Sequence, residues 1–283
     1  MSEGRFPTYL IIGAMKAGTS ALYDALMKHP DAYMVPNKEV YFFDRDDNYT
    51  RGLDWYRAQF AGAGGETAVG EASPSYLFFP AAAERIAADL PEARLVAILR
   101  DPVARAYSQY GHERFYARER RSFGQAVEEE LRHRTAADPY FGYVDRGRYL
   151  SQLQRFRRDS LLVLLSDDLK DTAPETYAQL FRFLGIDDTV QIPDPGVVNP
   201  YRENRFPALW RAMMRRGLWR KLGPLREPVT RAFIREGVAP KPMDPEVAQQ
   251  LRDVFADDNA ALGAWLGRDL SAWNAGNRVG SRP

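Results

Sequence analysis

"YLIIGAMKAGTSALYDAL", residues 9–26, decides the fold. Tyr9 to Ile12 form an apolar run of the length and character of a strand buried in a parallel sheet. Gly13 and Gly18 bracket a turn, and Thr19-Ser20 open a helix carrying Leu22, Ala25 and Leu26. A strand, a glycine turn and a helix N-terminus together offer backbone N–H groups and a positive dipole end to an anion. The glycines and hydroxyl match the phosphate-loop pattern G-x-x-x-x-G-K-[ST], but Thr19 stands where the lysine belongs and the lysine comes three places earlier, as Lys16. An ammonium approaching from the turn suits a ligand with one terminal phosphate whose bridging oxygen must be neutralised.

Two more apolar runs, "RLVAIL" at 94–99 and "LLVLL" at 161–165, predict further buried strands, with residues 68–71 as a fourth. Helical patterns lie between them. Residues 80–90 begin on Pro80 and stop at Pro91, while Thr172-Ala173-Pro174-Glu175 reads as a capping box ahead of Tyr177, Leu180, Phe181 and Leu184, with Gly185 as the stop. Asp244-Pro245-Glu246 starts a last long helix bearing Val247, Leu251, Val254, Leu262 and Trp265. Strands alternating with helices predict an α/β, three-layer, P-loop-like fold with a central parallel sheet flanked by helices. We expect one domain over residues 1–283, helical from about 206 to 273, with a surface loop at 186–205, a basic helical stretch at 211–235 and a frayed tail at 274–283.

The formal charge of +1, from 39 Lys+Arg against 38 Asp+Glu, offers no global field for nucleic acid or an anionic membrane, so any basic site must be local. The chain has no cysteine, which excludes disulfides, thiolate metal sites and cysteine nucleophiles and fits a reducing compartment. No apolar run resembles a signal peptide or is long enough to span a bilayer, and the expected location is cytoplasmic. Oligomeric state leaves no mark in the sequence.

"LRDPVARAYSQY", residues 99–110, holds a second anion-binding pattern. Arg100 ends a predicted strand, where open α/β sheets bind ligands, and Ser108 lies two turns into the helix that Asp101 caps and Pro102 opens. A guanidinium fork with a hydroxyl suits a phosphate monoester. Alone, the segment is better explained by an Arg100 paired with a carboxylate and a Ser108 that only packs; it is the two anion-binding patterns at two strand ends that call for a ligand with phosphates at both ends. No Walker B carboxylate ends a strand, which weakens a magnesium-dependent nucleotide kinase as the alternative.

Together with "NKEVYFFD" at 37–44, "GEASPSYLF" at 70–78 and the late "MDPEV…LGRDLSAW", these segments resemble the sulfotransferases that use 3′-phosphoadenosine 5′-phosphosulfate (PAPS), in the branch of heparan sulfate and bacterial sulfotransferases. The resemblance runs from about residue 7 to residue 273. It implies PAPS as donor, no metal, and transfer to the hydroxyl of a glycan, glycolipid or natural product. It places the phosphosulfate against Lys16, Ala17, Gly18, Thr19 and Ser20, and the 3′-phosphate against Arg100 and Ser108. Lys16 becomes the cation at the leaving phosphate oxygen.

The same resemblance makes Glu39 the catalytic base, at the position where the carbohydrate branch carries its glutamate. Burial beside Tyr41, Phe42 and Phe43 raises the basicity of a carboxylate. Read by itself, Lys38-Glu39 is a surface pair leading into an aromatic strand. His29, before Pro30, and His133, in "EEELRHR", read as structural or solvent-facing; His112 is the nearest rival base. Two departures stand out: Ala72 follows Glu71 where relatives often carry a lysine, and the basic glycine-rich loop before "PKPMD" is reduced to Arg235-Glu236-Gly237 and Lys241, either cation of which is a candidate for the 3′-phosphate. Tyr149 is a candidate lining residue, and Arg114, Arg118, Arg120 and Arg121 read as a solvated helix face. A non-catalytic nucleotide-binding module is the remaining alternative, and Glu39 is the residue that separates it from an enzyme.

Overall fold

The computed structural model describes residues 4–133, 141–193, 202–216, 223, 226–236 and 241–275. The chain folds as two compact units, one from Met1–Arg100 with Tyr149–Val198, the other from Asp101–Arg148 with Asn199–Pro283. The first holds a five-stranded sheet of β1 (Tyr9–Gly13), β2 (Ala32–Met34), β3 (Ala68–Ala72), β4 (Arg94–Leu99) and β5 (Leu161–Leu165) in the order β2-β3-β1-β4-β5. Every pairing is parallel, with Tyr9 opposite both Gly70 and Arg94, and Leu95 opposite Leu161. All of β1 and β3 and five residues of β4 are buried, as their uninterrupted apolar character requires.

The sheet agrees with the sequence expectation and adds β2. Its three residues carry too short a pattern to announce a strand; they are recruited as an edge by pairing with β3. From β1 the chain leaves toward β3 and β2, and from β4 toward β5. The reversal lies between the carboxyl ends of β1 and β4, where doubly wound sheets bind ligands.

Helix Pro80–Asp89 begins on its proline, with Leu90 as C-cap. Thr172 does not form the expected capping box. Helix Ser166–Asp171 runs directly into Ala173–Leu184, and the Thr172 hydroxyl donates back to the Asp168 carbonyl instead of accepting from the new helix. Gly185 ends the second helix at φ 74°, as read.

The second unit packs Val103, Ala106, Phe123, Val127, Tyr143, Leu251 and Phe255 into its core. Asp101 caps helix Pro102–Phe115 by accepting from the Val103 N–H at 2.9 Å, and Asp244 caps Pro245–Leu266 through the Glu246 N–H at 2.9 Å. The stretch 211–235 is not one helix: Pro207–Arg215 and Arg226–Phe233 are helical, and Arg235 lies on β7 (Ile234–Glu236), antiparallel to β6 (Arg202–Asn204). β6 also falls within the expected loop 186–205, of which residues 194–201 lie outside the described residues. Of the expected tail, Asn274 and Ala275 close helix Ser271–Ala275, and 276–283 lie outside the described residues. Among the described residues, no helix is long and apolar enough to cross a membrane.

Candidate functional site

The turn after β1 is built by close approach. A Cβ on Gly13 would stand 2.6 Å from the Leu77 Cβ, because the 74–77 turn packs against it, and Leu77 donates its N–H to the Ile12 carbonyl at 2.8 Å. Gly18 sits at φ 120°, a backbone state that favours glycine, as the N-cap of helix Thr19–Met27. No side chain caps that helix, so its first N–H groups and dipole end are presented to an anion. Ala17 and Thr19 are buried and Ser20 half-buried.

Ala14 donates to the Ile98 carbonyl at 2.8 Å, and Arg100 Nη1 donates to the Lys16 carbonyl at 3.3 Å. The phosphate turn and the arginine at the end of β4 are thereby brought together across the switch point. No ion pair of the described residues engages Arg100, so the alternative in which a carboxylate neutralises it is not what the fold adopts. Tyr149 does not line the cleft by its hydroxyl: it donates to the Arg100 carbonyl at 2.8 Å and holds the end of β4. Ser108 is half-buried in helix Pro102–Phe115, in the second unit.

Residues 37–44 form a looped segment, not the aromatic strand of the plain reading. Phe42 and Phe43 are fully buried, while Glu39 and Tyr41 take φ of 70° and 53°. Lys16 is likewise left-handed, at φ 69°. Such non-glycine states cost about 1–3 kcal/mol each and gather at functional sites. Both residues named for catalysis are therefore held in backbone that local sequence alone would avoid.

Lys38 Nζ donates to Ser20 Oγ, joining this segment to the phosphate turn, and stands 5.6 Å from the Tyr23 ring centroid. Tyr41 Oη donates to Glu39 Oε2, and the Arg45 guanidinium lies 4.0 Å from the Tyr41 ring centroid. Burial pushes the Glu39 carboxyl above its ordinary value, against the opposing pull of Lys38, Lys16 and Arg45. Desolvation likewise pushes Lys38 below the usual lysine value.

His29 is buried, with Nε2 2.8 Å from the Asp187 carbonyl and Nδ1 accepting from the Asp31 N–H at 3.1 Å. His133 is exposed at a helix end, and His112 lies edge-on to Tyr116 in the second unit. Arg118 and Arg121 are not helix residues: they follow helix Pro102–Phe115, Arg118 exposed and Arg121 half-buried, and pair with the buried carboxylates Glu113 at 2.5 Å and Glu119 at 2.7 Å. Arg120 sits in the same connection and is exposed; Arg114, on the last turn of the helix, donates to the Glu119 and Arg120 carbonyls at 3.4 and 3.2 Å. Lys241 is exposed, and Gly237 lies outside the described residues. Ala72 is fully buried opposite Ile11.

Sequence reading missed Glu71, the buried carboxylate of β3. Its Oε1 accepts from Tyr56 Oη at 3.0 Å and Tyr76 Oη at 2.7 Å, and its Oε2 from Ser73 Oγ at 2.6 Å. The available signal was an acidic residue inside an otherwise small and apolar strand, "AVGEA". Among the described residues, no group of three or more acidic or histidine side chains could hold a metal.

The chain belongs to the sulfotransferase family: the sulfotransferase domain model matches residues 6–206. A sulfotransferase from Alicyclobacillus acidocaldarius is 31% identical and superposes with a TM-score of 0.71 over 95% of this chain and 99% of that one. The human bifunctional heparan sulfate N-deacetylase/N-sulfotransferase 3 is 29% identical over 95% of this chain and 31% of its own length. The mouse heparan sulfate glucosamine 3-O-sulfotransferase 5 is 37% identical over 38% of this chain and 30% of its own. The chain thus spans about a third of the length of these curated relatives. The sheet, its switch point and the turn after β1 are those expected of the P-loop-like fold.

Proposed function

We propose that the protein transfers the sulfuryl group of PAPS to a carbohydrate hydroxyl, releasing adenosine 3′,5′-bisphosphate and a sulfate ester. The observation that carries this reading is the juxtaposition of a cation and a carboxylate at one sheet edge. Lys16 and Glu39 are close enough for the ammonium to act on the carboxyl, both sit at positive φ, and Lys38 ties their segments together.

The residues fit the donor. The uncapped helix behind Gly18 and the hydroxyls of Thr19 and Ser20 suit the 5′-phosphosulfate, with Ala17 at the base of the turn, and Arg100, at the end of β4, suits the 3′-phosphate. Glu39 takes the proton of the acceptor hydroxyl as that oxygen attacks sulfur. Lys16 stabilises the charge that grows on the phosphate oxygen as its bond to sulfur breaks. Neither step calls on a metal. Two named relatives act on heparan sulfate, which supports a glycan acceptor; the buried Ala72 favours one less densely sulfated. A cytoplasmic location belongs to the same proposal and rests on a chain without cysteine.

The test is transfer of label from ³⁵S-PAPS to a panel of neutral and weakly charged glycans. Label is expected in a glycan product, and Glu39→Gln is expected to bind adenosine 3′,5′-bisphosphate normally in calorimetry while losing turnover. Unchanged turnover in that variant rejects Glu39 as the base; absence of bisphosphate binding in the unaltered protein rejects the whole reading.

A further inference from the structure

We infer that Glu71 is a positioning residue for the transfer reaction, acting through Ser73 and Tyr76 to fix segment 37–44 and so present Glu39 to the phosphate turn. This rests on the reading above only for the role of Glu39.

The polarity of each bond is determined. Ser73 Oγ accepts from the Tyr41 N–H at 3.0 Å and donates to Glu71, while Tyr76 Oη accepts from the Phe42 N–H at 2.9 Å and also donates to Glu71. Two successive amides of the segment are thus each relayed through one hydroxyl to one carboxylate. From the other side, Asn48 Nδ2 donates to the Val40 and Tyr41 carbonyls, each at 3.1 Å. Two consecutive residues, Tyr41 and Phe42, therefore have their amides answered by hydroxyls that this single side chain holds.

Burial keeps the arrangement dry. Phe42 stacks on Tyr56 with centroids 4.4 Å apart, and Tyr56 closes the network by donating to Glu71. A buried group facing only donors must be an acceptor at both oxygens, and a primary amide supplies one acceptor. Tyr41 is the link to chemistry, because its phenol donates to Glu39 Oε2 from a backbone held by Ser73. The charges facing Glu39 are Lys38, Asp44 and Arg45 from its own segment and Lys16 from the phosphate turn. The link from β3 to Glu39 runs through the Ser73 hydroxyl and the Tyr41 backbone and phenol, which is a matter of geometry.

Three variants test this. Ser73→Ala and Tyr76→Phe each cut one relay and leave both carboxylates in place; Glu71→Gln keeps the volume and turns one acceptor into a donor. Amide hydrogen exchange across residues 37–44, kcat, bisphosphate affinity and the acidic limb of kcat/KM are measured in each. Exchange is expected to quicken within 37–44 alone, with bisphosphate affinity within about twofold of normal and kcat down by about 10- to 100-fold, the scale of a misplaced reacting group. The acidic limb is expected to move toward the ordinary carboxylate range as Glu39 regains water. Unchanged exchange in 37–44, or a fall in kcat matched by lost bisphosphate affinity and faster exchange throughout the first unit, overturns the inference. Turnover retained by Glu39→Gln removes the base assignment, and the exchange data then judge the Glu71 network independently.

Discussion

The turn at 14–18 and the segment at 37–44 do the same thing by different means. Each holds a functional side chain on left-handed backbone, Lys16 in one and Glu39 in the other. The turn is held mostly by main chain and by the absence of side chains: Ala14 donates to Ile98, Lys16 accepts from Arg100, and Gly13 leaves room for Leu77. The segment is held by side chains distant in sequence, namely Glu71, Ser73 and Tyr76, together with the nearby Asn48. A main-chain device is written locally in glycines, whereas a side-chain device is spread over strands that meet only after folding.

If the turn binds through amides and reacts through its lysine, Lys16→Ala separates the two. We expect kcat to fall by about 10²- to 10³-fold, as when one preorganised donor to a developing oxyanion is lost. Bisphosphate affinity is expected to change far less; single-turnover kinetics and calorimetry on the same variant check this, and equal losses in both break the distinction.

Gly13→Ala tests the steric half of the comparison. A methyl 2.6 Å from the Leu77 Cβ must displace the 74–77 turn. A loss of about 1–3 kcal/mol of stability in thermal unfolding, together with weaker bisphosphate binding, is the expected result for overpacking of this kind. Because Tyr76 lies in that turn and holds the Phe42 amide, the acidic limb of activity is expected to move toward the ordinary carboxylate range as well.

Lys38→Met is the mildest probe, because it alters both regions at their joint. A base must be ionised, so activity rises with pH through the raised Glu39 pKa. Lys38 opposes that rise; removing it leaves desolvation less opposed, and the acidic limb is expected to move to higher pH. A pH profile with the limb moved lower contradicts the assignment of Glu39.

Much of the first region was legible. Unbroken apolar runs such as Tyr9–Ile12 and Arg94–Leu99 cannot be exposed, and glycines spaced around Lys16 ahead of a helix have few other uses. β2 was not, since its three residues gain strand geometry from β3. Thr172 misled because its hydroxyl serves the helix before it, whereas a capping-box pattern concerns only the helix after. The ion pairs of Arg118 and Arg121 were not legible because their partners Glu113 and Glu119 are acidic residues that only the fold buries.

By itself the sequence determined a parallel α/β sheet with a glycine-bracketed turn after its first strand, because burial period and glycine placement are local properties that each segment carries alone. Only the tertiary structure decided that Arg100 reaches the Lys16 carbonyl, that residues 37–44 loop back on Ser20, and that Glu71 answers the amides behind Glu39. Those are hydrogen bonds between residues far apart in the chain, and their free energy exists only once the sheet has brought donors and acceptors together away from water.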